Sequence, residues 1–363
     1  MLSYNKIYEI ENKINSKEEL NEDDIVYMYD EANLYDLGKI ARKISYSISG
    51  DNISFVSNLI LNYTNICNVR CKFCAFYRTD ADSDKYSMSI DDVINEINKY
   101  YKYGIKQLLI QGGVNSHLEL DYYLNLFSRI RSEFPDIGIH GLSAAELNYI
   151  AIKSHLSIKE LLLALKDHGL ETIPGAGAEI LNQETRIKMG RPKNSGLEWL
   201  NIMEQAHKLG IKTSATMMFG HVETSLDKAK HLLSILSLQK KYHGFLSFTP
   251  WNFEPGNTEL GKEVAYRSGG SDVLRNIAIS RIVFNSELPV IQSSWLTNGV
   301  NMAQMAILFG ANDWGGTIYD ERVIPATGKN VGNLRKEMII NSIRQLNMIP
   351  VERDNLYQNI KYY

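Results

Sequence analysis

The chain has 363 residues, of which 44% are hydrophobic and 22% are charged, a composition that supports a large buried core and excludes a disordered chain. Its 39 Lys and Arg residues against 42 Asp and Glu residues give a net charge of −3, which leaves no basic excess for broad nucleic-acid binding. The three cysteines, Cys67, Cys71 and Cys74, lie within eight residues, and this odd, clustered set excludes a disulfide scaffold.

Residues 1–50 predict a helical prelude. Apolar residues recur at mixed spacings of three and four, as at Ile25, Tyr29 and Ala32, and the second such run ends near Gly50.

The first residues do not resemble a signal peptide, because Glu9 and Glu11 stand where an apolar run is needed. No stretch of the sequence has the eighteen consecutive apolar residues of a membrane span. Reduced cysteines suit the cytosol, so we expect a cytoplasmic protein with no membrane partner.

Beyond the prelude, short β-rich runs alternate with amphipathic helices. The strand candidates are residues 55–63, 106–111, 137–142, 171–174, 211–218, 244–250, 290–295 and 307–312. Eight such units predict an α/β fold of the (β/α)8 TIM-barrel type, and a doubly wound open sheet is the alternative. The predicted organisation is a prelude at 1–50, a barrel at 51–345 and a C-terminal extension packing on the barrel at 346–363.

The helices between the strands carry their own sequence patterns. Ser89 with Asp92 and Ser157 with Glu160 have the spacing of a capping box, in which each side chain accepts a backbone N–H of the other residue. Further helices are predicted at about 197–209, 225–240 and 272–284.

In a barrel, the loops after the strands converge on one mouth, where the chemistry lies. These loops hold the residues with unusual chemistry in this sequence. In chain order they are the cysteine cluster, Gly112 and Gly113, Ser143, Glu179, His221, Trp251, then Ser294, Trp295 and Thr297, and last Asp313.

The cysteines form a C-x3-C-x2-C loop, in which three soft thiolates can surround a compact metal centre, either an iron–sulfur cluster or zinc. A zinc site needs a fourth ligand, and the nearest histidine is His117. Three cysteines on a four-iron cluster instead leave one iron open. Zinc binding, or three small buried hydrophobes, are the alternatives.

This loop after the first strand resembles the hallmark of the radical SAM superfamily, and Phe76, two residues after the last cysteine, matches the family's aromatic position. The resemblance implies a [4Fe-4S] cluster whose open iron is chelated by S-adenosyl-L-methionine. It also implies that one electron cleaves the sulfonium to give a 5′-deoxyadenosyl radical. Phe76 would then pack against the adenine.

The resemblance gives roles to three further positions, each with a structural alternative. Gly112 and Gly113 match the glycine motif that approaches the methionine ammonium, although a plain turn explains them too. Glu179 matches an acid that binds the ribose hydroxyls, or it is a helix N-terminal acid. Ser143 lines the cofactor site or, more simply, caps the next helix.

Most of the chain resembles a branch of the superfamily that contains the futalosine-pathway enzymes of menaquinone synthesis and the deazaflavin synthases. Pro250-Trp251 and Ser294-Trp295 are similar to cyclic dehypoxanthine futalosine synthases. Aminofutalosine synthase is the alternative within the branch. An alternative of another class is a non-enzymatic iron–sulfur or zinc protein, and a third is a hydrolase or lyase barrel with incidental cysteines, which no triad order supports.

The resemblance implies that the radical takes the C4′ hydrogen of the ribose of dehypoxanthine futalosine, and that C4′ then closes onto the benzoate ring. Trp251 and Trp295 would form flat walls for that ring, or pack at the rim. Ser294 and Thr297 would bind the carboxylate. His221 or Asp313 would take the ring proton, although Asp313 can equally be structural. An electron donor such as flavodoxin or ferredoxin is implied.

Overall fold

The computed structural model describes residues 2–190, 194–264, 266–332 and 334–363. The predicted segments also include positions that lie outside the described residues, namely Met1, residues 191–193, Ala265 and Asn333. The chain begins with three helices, α1 (Leu2–Ser16), α2 (Glu22–Asp30) and α3 (Leu34–Ser49). Asn21 begins α2 through a capping box with Asp24, and Gly50, at φ +59°, ends α3.

The centre of the fold is a parallel sheet of six strands in sequence order. Its strands are β2 (Asn58–Asn62), β3 (Gln107–Gln111), β4 (Gly138–Gly141), β5 (Thr172–Ile173), β6 (Lys212–Phe219) and β7 (Phe245–Asn252). Register pairs such as Asn62 with Gln111 place equivalent inward side chains side by side. The carboxyl ends of these strands therefore meet on one side.

A second sheet has the order β10-β9-β1-β8. Its strands are β1 (Asn52–Val56), β8 (Asp313–Gly316), β9 (Ile349–Arg353) and β10 (Asn359–Tyr362). Strand β1 is parallel to both β8 and β9, and β10 is antiparallel to β9. Single bridges link the two sheets, joining Phe248 to Ile291, Gln292 to Asp313 and Leu59 to Tyr319.

Helices cover the outside of the sheets. They are α4 (Ile90–Tyr101), α5 (Leu120–Glu133), α6 (Ala144–Lys153), α7 (Ile158–Asp167), α8 (Gln183–Lys188), α9 (Gly196–Lys208), α10 (Ser225–Tyr242), α11 (Gly270–Phe284), α12 (Trp295–Asn298), α13 (Val300–Leu308) and α14 (Lys336–Arg344). Both predicted capping boxes are confirmed, at Ser89 and at Ser157. Within the described residues, no helix has both the length and the apolar character needed to cross a membrane.

The first and seventh predicted strands are only partly regular. The first divides at Ser57 into β1 and β2. The seventh is reduced to single bridges at Ile291 and Gln292, and Trp295 already begins α12.

The predicted eighth strand at 307–312 is wrong. Helix α13 continues to Leu308 with Ala303, Ala306 and Ile307 buried, and the strand is β8, starting at Asp313. Hydrophobic periodicity alone cannot distinguish a short apolar strand from the end of a buried helix.

Candidate functional site

The strands surround a cavity of about 440 Å³ that opens at their carboxyl ends. Twelve of the fourteen predicted site residues line it, and His221 and Asp313 are not among the lining residues. The twelve are Cys67, Cys71, Cys74, Phe76, Gly112, Gly113, Ser143, Glu179, Trp251, Ser294, Trp295 and Thr297.

The cysteine loop follows β2 and faces this cavity. Cys71 is buried, and Cys67 and Cys74 are half-buried. The backbone N–H of Val114 donates to Cys67 Sγ at 3.3 Å, and the N–H of Cys74 donates to the carbonyl of Cys71 at 3.1 Å. The loop after β3 thus contributes directly to the environment of one thiol.

Arg78 fixes the backbone that follows the cysteines. Its Nη1 donates to the carbonyls of Ala75 at 3.1 Å and Tyr77 at 2.9 Å. Its Nε donates to the Asp84 carboxylate at 2.8 Å, and the N–H of Cys67 donates to the Arg78 carbonyl at 2.9 Å. The hydrogen bonds of Arg78 therefore hold this loop in place.

The donor set fits an iron–sulfur cluster. Three thiols from one loop line a single cavity, and thiolates are the ligands such clusters use. The N–H directed at Cys67 would stabilise negative charge on that sulfur. In the part of the chain that the structure describes, no three His, Cys, Asp or Glu side chains converge as ligands of a single ion do.

Close packing explains why glycine occupies positions 112 and 113. A Cβ on Gly113 would lie 2.2 Å from the carbonyl oxygen of Ile66, and one on Gly112 would lie 2.8 Å from the Tyr63 ring. The N–H of Gly113 donates to the Thr64 carbonyl at 2.9 Å. This packing needs no ligand, so the predicted approach to a methionine ammonium stays a prediction.

The predicted capping role of Ser143 is confirmed. The N–H of Glu146 donates to Ser143 Oγ at 3.3 Å, and the Glu146 carboxyl accepts the N–H of Ser143 at 2.7 Å. The same buried carboxyl accepts the N–H of Gly112 at 3.0 Å and the hydroxyl of Tyr63. Burial raises the pKa of Glu146. Glu146 thus ties α6 to the glycine turn, a role that its position in the capping box could have indicated.

Phe76 follows β2 and Glu179 follows β5 in the chain, and both line the cavity. The Phe76 ring meets the Tyr86 ring edge-on at 6.3 Å between centroids, and Tyr86 donates to the Asn62 carbonyl at 2.8 Å. Glu179 is buried and has φ +40°, an uncommon backbone conformation for a residue with a side chain. Its carbonyl accepts the N–H of Met218 at 2.9 Å, which fixes the residue to β6.

Tryptophan is concentrated in this cavity. Trp251, Trp295 and Trp314 line it, and they are three of the four tryptophans in the chain. Trp295 Nε1 donates to the Gly316 carbonyl at 2.8 Å, which orients its ring. Next to it, Ser294 Oγ lies 3.3 Å from Thr297 Oγ1.

The two predicted proton acceptors are already engaged by the protein. His221 Nε2 donates to the Met218 carbonyl at 3.0 Å, its Nδ1 lies 3.2 Å from Glu223, and burial lowers its pKa. Asp313 is fully buried and accepts Arg353 Nε at 2.6 Å and the N–H of Gly315 at 2.8 Å. These contacts favour the structural alternative for Asp313.

Several lining residues escaped sequence reasoning. The cavity wall also contains Asn62, Gln111, His140, Glu321, Arg353, Asn355 and Tyr357. The last three belong to the C-terminal extension, which no local pattern linked to the site. Strand β9 reaches it only by pairing with β1, some 300 residues earlier in the chain.

Because the pKa of His140 is lowered, we expect the free energy of unfolding to fall in acid. Its Nδ1 lies 2.7 Å from Thr172 Oγ1, and burial, with a smaller contribution from Arg353, lowers its pKa to about 3. In the unfolded chain this histidine takes up a proton near pH 6.5. Its contribution to the free energy of unfolding is therefore complete above that pH and falls as the pH drops toward 3. We expect His140→Gln to reduce the pH dependence of the unfolding free energy by about 1.4 kcal/mol per pH unit. Denaturant unfolding between pH 6.5 and 4.5 measures it, and identical slopes in the two proteins would refute it.

Comparisons with known proteins agree with this geometry. Residues 61–233 match the Radical SAM superfamily model, and residues 242–362 match the CofH/MqnC C-terminal region. A 5-amino-6-(D-ribitylamino)uracil--L-tyrosine 4-hydroxyphenyl transferase from Methanococcoides burtonii is 37% identical over 90% of this chain and 92% of the relative. A cyclic dehypoxanthine futalosine synthase from Halalkalibacterium halodurans is 34% identical over 95% and 93%.

The fold also matches a solved structure. The FeFe-hydrogenase maturase HydG from Carboxydothermus hydrogenoformans superposes with a TM-score of 0.75 at 19% identity, covering 98% of this chain and 81% of that one. At that identity the likeness concerns the fold alone, a curled parallel sheet with helices outside.

Proposed function

Because the chain belongs to the radical SAM superfamily, whose enzymes use a [4Fe-4S] cluster and S-adenosylmethionine, we propose that it is the member that cyclises dehypoxanthine futalosine. We also propose that the bridges at Ile291, Gln292 and Tyr319 complete a closed (β/α)8 barrel around the cavity.

The observation that carries the proposal is the set of tryptophans in the cavity. Trp251 lies near the end of β7 and Trp295 begins α12, and the two lining indoles would offer flat apolar surfaces to a benzoate ring. The cavity is also lined by the polar side chains of Asn62, Gln111 and His140, which suit the hydroxyl groups of a ribose. One aromatic carboxylic ring joined to a sugar matches both surfaces.

The residues that would hold the cofactors are those that the cysteine loop and its neighbours supply. Cys67, Cys71 and Cys74 would bind three irons of the cluster. Phe76 would pack on the adenine of S-adenosylmethionine, and Glu179 would accept hydrogen bonds from its ribose hydroxyls. When bound and reduced by a flavodoxin or ferredoxin, these groups supply a 5′-deoxyadenosyl radical.

The chain's remaining task is positioning. The ribose C4′ would give one hydrogen atom to the 5′-deoxyadenosyl radical, and C4′ would bond to the benzoate ring. The ring would then lose one electron to the oxidised cluster or its electron carrier and one proton to a base or water, so the product has two hydrogens fewer than the substrate. The tryptophan walls would hold the ring against C4′, and the buried cavity would exclude water and other hydrogen donors.

A second candidate function rests on the relatives. Hydroxyphenyl transfer from L-tyrosine to 5-amino-6-(D-ribitylamino)uracil is the activity named for a relative that is 37% identical, slightly more than the futalosine relative. An aromatic ring and a polyhydroxylated chain would suit the same two surfaces. Pro250-Trp251 and Ser294-Trp295 favour cyclisation, because both pairs resemble those of cyclic dehypoxanthine futalosine synthases.

One assay separates these functions. The enzyme is reconstituted anaerobically with iron and sulfide and then given S-adenosylmethionine, a reductant and one substrate at a time. We expect dehypoxanthine futalosine to yield 5′-deoxyadenosine and a product two hydrogens lighter. Turnover only with L-tyrosine and the ribitylaminouracil would assign the transferase instead. Turnover only with 3-[(1-carboxyvinyl)oxy]benzoate would assign aminofutalosine synthase.

A further inference from the structure

The C-terminal extension crosses the amino-terminal ends of the central strands and lines the inner end of the cavity. Asn355 accepts Gln107 Nε2 at 2.8 Å and donates to Thr172 Oγ1 at 2.9 Å. Gln107 and Thr172 are the first residues of β3 and β5. A Cβ on Gly138, the first residue of β4, would lie 2.3 Å from Asn355 Cβ, so the extension is packed directly against the strand starts.

Tyr357 continues this contact around the sheet. Its hydroxyl donates to Ser247 Oγ at 2.7 Å and accepts Gln292 Nε2 at 2.8 Å. Both the tyrosine and its two partners line the cavity. The extension therefore forms the floor of the cavity, the chamber in which a ligand would bind, and its lining side chains would contact that ligand.

Arg353 is the charged residue of this floor. Its side chain is 1% exposed, and it donates from Nε and Nη2 to the Asp313 carboxylate at 2.6 and 3.2 Å and from Nη1 to the Asp354 carbonyl at 3.1 Å. A guanidinium has five N–H groups, so these three bonds leave two N–H groups without a partner among the described residues. The Tyr357 ring lies 3.6 Å from the guanidinium carbon and fixes its plane.

The charges around the cavity make this residue distinctive. Within the described residues, Arg353 is the one Lys or Arg that lines the cavity, whereas four carboxyl residues line it. Those four are Glu146, Glu179, Glu254 and Glu321. Glu254 is paired with Lys329, and burial raises the pKa of Glu146 and Glu321. Among the described lining residues, Arg353 therefore supplies the one permanent positive charge that a negatively charged ligand group would meet.

The ion pair itself calls for a functional explanation. Replacing a buried ion pair by apolar residues is often neutral or stabilising, because desolvation offsets the attraction between the charges. Asp313 also accepts Ser54 Oγ at 2.5 Å and the N–H of Gly315. The Asp313 charge is thus shared among several donors, and the two remaining N–H groups of Arg353 can donate to a second anion.

We propose that Arg353 binds the carboxylate of the aromatic substrate at the floor of the chamber. The inference deepens the proposed function and rests on it only for the identity of the substrate. The shared chemistry is a carboxylate attached to an aromatic compound. It can come from the benzoate of dehypoxanthine futalosine or from the amino-acid carboxylate of L-tyrosine.

The test is a binding measurement on the reconstituted holoenzyme with S-adenosylmethionine. Because three tryptophans line the cavity, quenching of their fluorescence reports binding, and calorimetry checks it. The ligands are dehypoxanthine futalosine, L-tyrosine, and tyramine, which lacks the carboxylate. The main variant is Asp313→Asn with Arg353→Gln, which removes both buried charges together. Arg353→Lys keeps a cation beside Asp313 and replaces the planar fork.

The matched control is Glu352→Gln. Glu352 lies next to Arg353 in β9 and is also buried, but it contacts Ser57 and Lys336, at 2.6 and 2.7 Å, and is not among the lining residues of the cavity. We expect wild-type binding in this control. Thermal unfolding of each variant establishes that it is folded.

We expect the double variant to bind the carboxylate ligand about ten- to a hundredfold more weakly, with tyramine binding unchanged. Arg353→Lys should also weaken binding of the carboxylate ligand. If the double variant does not fold, the affinity of Arg353→Lys tests the inference in its place. Unchanged carboxylate binding in a folded variant would overturn the inference. Arginine-dependent binding of L-tyrosine without turnover of dehypoxanthine futalosine would overturn the proposed function and leave the inference standing.

Discussion

Cys71→Ala is expected to lose both the four-iron absorbance and all cleavage of S-adenosylmethionine. Cys71 is 4% exposed and lies between two other thiols that line the same cavity, so an alanine there removes one of three protein ligands and leaves a buried apolar gap. The sequence has no fourth cysteine to replace the lost ligand, and its nearest histidine along the chain is His117. Iron content, visible absorbance and 5′-deoxyadenosine formation measure the effect.

Lys72→Met is the matched control for this change. Lys72 is the next residue in the loop, and its side chain forms an ion pair with Glu263 at 2.8 Å in which both groups are substantially exposed. Loss of this ion pair should lower the free energy of unfolding by less than about 1 kcal/mol and leave the cluster intact. A Cys71→Ala protein that kept its iron and its activity would refute the cluster assignment.

Asp313→Ala is expected to lower the free energy of unfolding by about 3–5 kcal/mol, because it leaves the Arg353 guanidinium buried without a counter-charge. Both side chains are almost completely inaccessible, at 0% and 1% exposure, and they join β8 to β9. Denaturant unfolding at pH 7 measures the change.

Asp36→Ala provides the comparison for an exposed pair. Asp36 lies 3.8 Å from Lys39, and both side chains are exposed. Removing the Asp36 carboxylate should therefore lower the free energy of unfolding by less than about 1 kcal/mol. If Asp313→Ala instead kept wild-type stability and lost only turnover, Asp313 would be the proton acceptor and its structural role would be refuted.

Local sequence patterns predicted most of the central sheet and its helices. Residues 106–111 and 211–218 became β3 and β6 within one residue at each end, and the capping boxes at Ser89 and Ser157 formed as expected. Such patterns succeed because they depend on neighbours a few residues apart. The end of α13 failed because a buried apolar run has no periodicity that separates helix from strand.

The site residues likewise fall into a group that the sequence predicted and a group that it did not. The cysteines and Phe76 are close together in sequence, so their spacing identified them. Arg353 acts with Asp313, 40 residues away, and with a floor assembled from the starts of several strands. No local pattern records that contact, since it arises only when β9 pairs with β1.

The most direct test of the proposed reaction is the fate of the ribose C4′ hydrogen. Dehypoxanthine futalosine deuterated at C4′ is incubated with the reduced, reconstituted enzyme and S-adenosylmethionine, and the 5′-deoxyadenosine is analysed by mass spectrometry. We predict one deuterium in the 5′-deoxyadenosine together with a cyclised product. Formation of 5′-deoxyadenosine without deuterium, or only when L-tyrosine is supplied, would contradict cyclisation by hydrogen abstraction from C4′.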